Sequence, residues 1–248
     1  MSLLWSVLYC LIFFLAAFTQ GVTGFGSALV AVPLLSLFMD IRTVVPLSIL
    51  YGLIVTLFLT YRMRRHVDKK RLLPLVVGCL PGVAVGCSLL KWMPETFLKG
   101  LLGLLLLFYG GFNIFRKEAV SCRLSNRWGY LAGFGTGVLG ASLSTGGPPA
   151  VIYTALSGWS KDEIKATLSI FFLFTGTIVA LAQFAGNLMP PEIGRLFLIG
   201  LPAVVAGVLS GAKCYDYLPH RFYLHSVYLL LVIMGVLLLG ASLYGMIQ

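Results

Sequence analysis

The chain has 248 residues, of which 59% are hydrophobic and only 10% are charged. Soluble domains carry about 25% charged residues, so this composition excludes an ordinary soluble protein, and several uncharged apolar runs longer than about 18 residues predict a helical protein with many membrane spans. The formal net charge is +10, but we expect no nucleic acid partner, because basic residues accumulate in the cytoplasmic loops of membrane proteins.

Ten apolar elements follow one another along the chain. The first five cover 3–20, 27–39, 43–61, 72–90 and 97–115, and the second five cover 128–143, 147–159, 164–186, 194–212 and 222–245. The elements 27–39 and 147–159 have only about 13 residues, or about 20 Å of helix, against a hydrocarbon core of about 30 Å. The predicted fold class is an all-α integral membrane protein with two elements too short to cross the bilayer alone.

The two sets of five elements are copies of each other. A constant shift of 121 positions pairs Thr23 with Ser144, Gly26 with Gly147, Val30 with Val151, Leu47-Ser48-Ile49 with Leu168-Ser169-Ile170, Leu80-Pro81 with Leu201-Pro202, and Gly86 with Gly207. We therefore predict a transmembrane repeat at 1–115, a cytoplasmic linker at 116–127 and a second repeat at 128–248. Each repeat is a glycine-broken helical hairpin followed by three transmembrane helices.

The charge of the loops predicts the orientation of the repeats. With the loop from Arg62 to Arg71 in the cytoplasm, fourteen Lys and Arg residues lie inside, and the four outside are Arg42, Lys91, Lys99 and Arg195. This asymmetry is typical of cytoplasmic anchoring loops. The first repeat then starts outside and the second starts inside, so the repeats are inverted, and both chain termini lie outside.

Each repeat opens with a glycine-broken segment, Thr23-Gly24-Phe25-Gly26-Ser27 in the first and Ser144-Thr145-Gly146-Gly147-Pro148 in the second. Glycine permits a tight turn and close backbone approach, and prolines suit the first turn of a following helix. The hydroxyl residues are typical N-caps. The segments form either the tips of re-entrant hairpins or full crossings, and loop charge does not distinguish these two arrangements.

The broken segments have the chemistry of an anion site. Each short helix would begin inside the membrane with unpaired N–H groups and the positive end of its dipole, and two such ends that converge attract an anion without a basic side chain. The alternative is that the small residues only allow close helix packing. The candidate substrate-binding residues are Gln20, Thr23, Gly24, Phe25, Gly26, Ser27, Ser142, Ser144, Thr145, Gly146, Gly147 and Pro148.

The sequence predicts neither an enzyme nor a bound cofactor. We find no paired nucleophile and base, no hydrolase elbow, and no His or Cys residues at metal-ligand spacing. The expected partners are a small anionic substrate and the lipid bilayer, and association into a homo-oligomer is left open.

The two glycine-rich segments, with Gly21-Val22 before the first and Pro149 after the second, resemble the TauE/SafE-type sulfite exporters, also called the toluene sulfonate uptake permease family. The resemblance covers nearly the whole chain. It implies transport of sulfur-containing anions such as sulfite, sulfonates and sulfoacetate across the bacterial inner membrane, along a path lined by the two turns. Here Gly24-Phe25-Gly26-Ser27 stands where family members often have a glycine triplet, which leaves the identity of the anion open.

We therefore expect a multi-pass protein of the bacterial inner membrane that exports sulfite or an organosulfonate such as sulfoacetate. The expected mechanism is alternating access around a site between the inverted repeats. An anion channel of the same architecture and a membrane scaffold without transport activity are the alternatives.

Overall fold

The computed structural model describes residues 3–63, 69–115, 124–157, 161–214 and 220–247. These parts of the chain form ten α-helices and contain no β-strand. The helices are α1 (Leu3–Thr23), α2 (Ser27–Leu35), α3 (Ile41–Met63), α4 (Lys69–Trp92), α5 (Glu95–Phe115), α6 (Asn126–Leu143), α7 (Gly147–Leu156), α8 (Lys161–Ala185), α9 (Ile193–Cys214) and α10 (His220–Ile247). Residues 116–123 of the predicted linker, residues 158–159 of the predicted element 147–159, and Arg64 and Arg65 of the basic loop lie outside the described residues.

Seven helices of the described chain are long and apolar enough to cross a membrane; they are α1, α3, α4, α5, α8, α9 and α10. Helices suit this setting because the hydrocarbon core offers no water, so backbone groups must find partners within the same segment. In contrast, α2 has 9 residues and α7 has 10, which is only about 14–15 Å of helix. The all-α multi-span fold is therefore confirmed.

The helices begin and end close to the predicted positions, with one clear difference at the end of α2. The predicted element 27–39 stops at Leu35, where Ser36 caps the helix with its backbone N–H on the Val32 carbonyl. Helix α3 then starts two residues before its predicted start of 43. Its start is set by Asp40, whose carboxylate accepts a 2.7 Å hydrogen bond from the Arg42 backbone N–H, as an N-cap residue does.

Glycines bring helices together along two extensive interfaces, α4 with α6 and α1 with α9. A Cβ atom added at Gly78 or Gly82 would lie 2.1 or 2.3 Å from the carbonyl oxygens of Tyr130 and Phe134. At the other interface, a Cβ at Gly207 would lie 2.4 Å from the Phe14 carbonyl oxygen. Only glycine permits such close approach of backbones, a common means of helix association in membranes.

The third extensive interface joins α5 to α10, the last helices of the two halves. Gly100 lies against Ser242, Gly103 against Gly235 and Leu239, and Gly110 against Tyr228. As the residue numbers rise along α5, the numbers of the contacting residues in α10 fall, so these two helices run antiparallel.

The segments α1–α2 and α6–α7 are both hairpins. At the open end of the first, the rings of Trp5 and Phe38 are 5.4 Å apart. In the second, a Cβ at Gly129, near the start of α6, would lie 3.2 Å from the hydroxyl of Tyr153, near the end of α7. Each hairpin therefore returns the chain toward the end of the fold where it began, and carries its glycine turn at the tip.

Candidate functional site

The two hairpin tips have different backbone conformations, although their sequences are related. In the first tip Gly24 and Gly26 have φ angles of 87° and 96°, values that favour glycine. In the second tip the left-handed residue is Ser144, with φ 58° at the end of α6. The left-handed conformation thus falls on two glycines in the first tip and on a serine in the second.

Neither short helix is capped by a side chain. The N-cap of α2 is Gly26 and that of α7 is Gly146, and no side-chain hydrogen bond caps either one. The expectation that Thr23, Ser27, Ser144 and Thr145 act as N-caps is therefore wrong, because glycine occupies the cap position in both tips. The first N–H groups of a helix have no partner within the helix, so both ends are left with donors to offer.

A central cavity of about 90 Å³ lies between the two tips and the helices α3 and α8. From α3 it is lined by residues between Ser48 and Thr56, which begin seven residues after the start of the helix and stop seven before its end. From α8 it is lined by residues between Phe172 and Val179. The cavity therefore lies beside the middle of α3 and toward the middle of the fold.

The structure brings seven of the twelve candidate residues together around the central cavity. They are Gln20, Gly26, Ser27, Ser144, Thr145, Gly146 and Gly147. The first-turn residues Ala28 and Leu29 of α2 also line it, so the starts of both short helices face one space. The residues that the sequence assigned to an anion site thus include a group from each half of the chain.

The other five candidates do not line the central cavity; they are Thr23, Gly24, Phe25, Ser142 and Pro148. Two of them bond to the backbone, because the Thr23 hydroxyl contacts the Thr19 and Phe25 carbonyl oxygens, and the Ser142 hydroxyl donates to the Val138 carbonyl at 2.7 Å. Such a bond to the residue four positions earlier is common for Ser and Thr in helices. The backbone of their own hairpins therefore engages these two hydroxyls.

Helix α8 also touches the first tip. A Cβ atom at Gly24 would lie 2.9 Å from Cγ of Lys165, so the stem of this lysine packs on the turn. Lys165 itself does not line the central cavity. The glycine at position 24 therefore serves both the left-handed turn and the approach of this side chain.

Two residues of the cavity that the sequence analysis missed are Ser48 in α3 and Thr136 in α6. Their hydroxyl oxygens, like that of Thr145, are buried and have no hydrogen-bond partner among the described residues. A buried hydroxyl without a partner costs about 1–3 kcal/mol, so three of them around one cavity point to a polar ligand.

A sequence signal for these residues exists. Ser48, Gly52 and Thr56 follow one another at intervals of four, and so do Thr136, Gly140 and Ser144. Residues at this spacing lie on one face of a helix. Small polar residues repeated on one face of an apolar helix are therefore the pattern that would have located both cavity walls.

The charge around the cavity comes from helix ends. None of the described residues that line it has an ionisable side chain, whereas each helix N-terminus carries the equivalent of about half a positive charge. The two ends differ in donors, since Pro148 and Pro149 in the first turn of α7 have no N–H, whereas the first turn of α2 contains no proline. Gln20 and Ser27, which hydrogen bond to each other, add polar atoms beside α2.

The arrangement suits a small anion. Among the described residues there is no group of three or more His, Cys, Asp or Glu side chains placed to hold a metal ion. The chemical capacity that is present consists of hydroxyls, backbone N–H groups and two positive helix ends, all of which favour negative charge.

Comparison with known proteins shows the family of the chain. The sequence profile of a family described as "Sulfite exporter TauE/SafE" matches residues 9–238. The chain is 26% identical over 153 residues to the "Probable sulfite/organosulfonate exporter TauE" of Cupriavidus necator, and the alignment covers 60% of this chain and 59% of that protein. No solved structure matches the chain.

Proposed function

This chain belongs to the TauE/SafE sulfite exporter family, and from that membership and the central cavity we propose that it exports a small sulfur-containing anion, sulfite or an organosulfonate. The observation that carries the proposal is the meeting of two uncapped helix N-termini, Gly26–Ser27 and Gly146–Gly147, at one cavity. Such ends bind anions with their N–H groups and dipoles. The relative from Cupriavidus necator, whose name refers to sulfite and organosulfonate export, supports the same substrate class.

The proposed architecture is a pair of inverted repeats, 1–115 and 128–248, joined by a cytoplasmic linker at 116–127. The packing supports this architecture. Helix α1, the first of repeat 1, packs on α9, the fourth of repeat 2, and α6, the first of repeat 2, packs on α4, the fourth of repeat 1. The corresponding helices α5 and α10 run antiparallel. If a two-fold axis along the membrane normal related the two repeats, α5 and α10 would run parallel. Their antiparallel packing therefore favours a two-fold axis that lies in the membrane plane.

In this proposal the anion reaches the cavity from the cytoplasm and leaves on the outer side by alternating access, as one repeat moves against the other. The α1–α2 and α6–α7 hairpins re-enter from opposite faces and hold the anion at their tips. Export down a membrane potential favours an anion by about 2.3 kcal/mol per charge per 100 mV. The membrane potential therefore permits export of the anion without a coupling ion.

The proposed location is the bacterial inner membrane, with the basic loops in the cytoplasm and both termini outside. Of the four basic residues that this orientation puts outside, we infer that Arg42 acts as an anchor. Its guanidinium donates to the Met93 carbonyl at 2.8 Å, just beyond the end of α4. Cations commonly bind free carbonyls at helix C-termini. Lys99 pairs with Glu95 at 2.8 Å, so these two basic residues stabilise helix ends.

The test is anion binding and efflux with the full-length protein. Purified protein in detergent should melt at a higher temperature with at least one of sulfite, sulfate, thiosulfate, sulfoacetate, taurine or chloride, because a ligand that binds the native state stabilises it. Proteoliposomes loaded with that anion should show saturable efflux. Gly147→Ala should weaken both effects, since Gly147 lines the cavity at the start of α7. The added methyl group should not disturb the fold, because it meets only Phe25, at an ordinary contact distance of 3.5 Å.

The matched control is Gly194→Ala in α9, where an added Cβ meets no atom within 4 Å and which does not line the cavity. Folded protein that responds to none of the anions would overturn the proposal and favour a scaffold. Efflux that does not saturate and carries large currents would indicate a channel.

A further inference from the structure

We propose that the central cavity selects oxyanions that carry a single negative charge, such as hydrogensulfite or a simple organosulfonate, and that the hydroxyls of Ser48, Thr136 and Thr145 donate to their oxygens. This inference rests on the proposed export function and specifies its substrate. Neither the charge of the ligand nor the roles of Ser48 and Thr136 follow from the family.

The first argument is the charge of the cavity. The N-termini of α2 and α7 both line it, and at about half a unit each they supply at most about one positive charge. The C-terminal ends of α1 and α6, which reach the same cavity at Gln20 and Ser144, reduce that charge. No described lining residue is ionisable, and Lys165, which packs on the Gly24 turn, is not a lining residue. The fixed positive charge is therefore no more than about one unit, which can compensate a monoanion but not a dianion.

A second negative charge would be poorly compensated. The cost of removing an ion from water rises with the square of its charge, whereas its attraction to fixed dipoles rises only in proportion to the charge. A dianion such as sulfate or deprotonated sulfite therefore pays about four times the desolvation cost for about twice the attraction. By the same reasoning, an organosulfonate with one charge is favoured over sulfoacetate, which carries two.

The second argument is the set of hydroxyls without partners. Ser48, Thr136 and Thr145 are 4%, 1% and 1% exposed and line the same cavity. Within the described parts of the chain, their hydroxyls have no hydrogen-bond partner. Each Ser or Thr hydroxyl has one proton to donate. They come from α3, from α6 and from the tip before α7, so three separate elements surround the ligand. Three donors suit the three oxygens of a sulfonate or hydrogensulfite group.

The third argument is size. The cavity of about 90 Å³ corresponds to about six to nine water molecules, since one water needs roughly 10–15 Å³ on this scale. Sulfite has four non-hydrogen atoms and methanesulfonate has five, so either one fits together with a few waters. A small oxyanion with one charge satisfies volume, donors and charge together.

The test compares anions of fixed and variable charge, with the full-length protein in detergent. Methanesulfonate is a monoanion and sulfate a dianion throughout the neutral pH range, whereas sulfite changes from one to the other near neutral pH. We expect methanesulfonate to bind at least about ten-fold more tightly than sulfate. Sulfite affinity should fall as the pH is raised, while methanesulfonate affinity stays constant and controls for titration of the protein.

Sulfate binding as tight as methanesulfonate binding, or sulfite affinity that does not change with pH, would overturn the charge selection and leave the export function standing. Failure of every anion to bind would instead overturn the export function, and this inference with it. The two failures are therefore distinguishable.

The hydroxyl roles are tested with a matched pair of variants. Thr136→Val should weaken methanesulfonate binding by about ten-fold or more, since it removes a hydrogen bond to a charged group, and Thr136→Ser should restore it. The control is Thr167→Val, because Thr167 is also a buried threonine whose hydroxyl lacks a partner but lies away from the cavity lining.

Both valine variants should retain or raise the melting temperature of the ligand-free protein, since each removes a buried hydroxyl that has no partner. Equal methanesulfonate affinity of Thr136→Val and the wild type would remove Thr136 from the site. Equal losses of methanesulfonate affinity in Thr136→Val and Thr167→Val would indicate a general effect of removing a buried hydroxyl. That result would overturn the assignment of Thr136 to the anion site.

Discussion

Gly52 offers a way to fill the central cavity without disturbing the fold. It lies at the middle of α3 and lines the cavity, and a Cβ atom added there would meet no other atom within 4 Å. A larger side chain at this position therefore extends into the space that we propose the anion occupies. We expect Gly52→Ala and Gly52→Leu to fold and to differ in transport.

The magnitudes follow from the volume of the cavity and from helix propensity. A carbon group occupies about the space of one water, roughly 10–15 Å³ on the scale used here, so alanine removes about a seventh of the 90 Å³ and leucine about half. The cavity volume that remains beside the leucine side chain holds about three or four waters, which is too little for a solvated sulfite ion. Replacing a helical glycine also stabilises by up to about 1 kcal/mol, or about 2–4 °C in melting temperature.

The assay is anion efflux from proteoliposomes together with the melting temperature of the same preparations. We expect Gly52→Ala to retain sulfite efflux, and Gly52→Leu to lose it while its melting temperature stays at or above that of the wild type. Gly111→Leu in α5 is the control, because Gly111 also has open space around it and is not a lining residue of the cavity. Undiminished efflux in well-folded Gly52→Leu would refute a transport path through this cavity.

Three further predictions concern the stability of the scaffold. Gly82→Ala should lower the unfolding free energy by about 1–3 kcal/mol, because its methyl group would lie 2.3 Å from the Phe134 carbonyl oxygen; thermal melting measures this. Tyr51→Phe should cost about 0.6–1.7 kcal/mol, since the hydroxyl donates to the Leu196 carbonyl at 2.8 Å, and the same melting assay reports it. Ser144→Gly should stabilise by about 1 kcal/mol, because glycine relieves the strain of φ 58°.

Each of these has its own control. Gly111→Ala should be harmless where Gly82→Ala is damaging, and similar losses in both would refute the packing argument. Tyr130→Phe changes an exposed tyrosine, so a loss as large as that of Tyr51→Phe would contradict the role of the buried bond. Ser144→Ala keeps the left-handed strain, and a gain equal to that of Ser144→Gly would show that strain is not the cause.

The order and type of the helices could be predicted because they depend on local chemistry. In a bilayer the backbone must form hydrogen bonds within each apolar segment, so a run of apolar residues already specifies a helix. The short segments after Gly26 and Gly146 were predicted for the same reason, since glycine and proline act on the backbone at their own positions. The predicted start of α3, residue 43, is two residues later than the observed start at Ile41. The difference arises because the Asp40 side chain caps the helix, and a hydropathy pattern does not report capping.

The sequence by itself thus determined an all-α membrane protein with two glycine-broken segments, and it predicts an anion site at their tips. Only the tertiary structure decided that Ser48 of α3 and Thr136 of α6 face the same cavity as these tips, while Thr23 and Ser142 bond to nearby backbone carbonyls. All four are hydroxyl residues in or beside apolar segments. Whether such a hydroxyl bonds to its own helix or is left without a partner depends on the helices packed against it, which are distant in the chain.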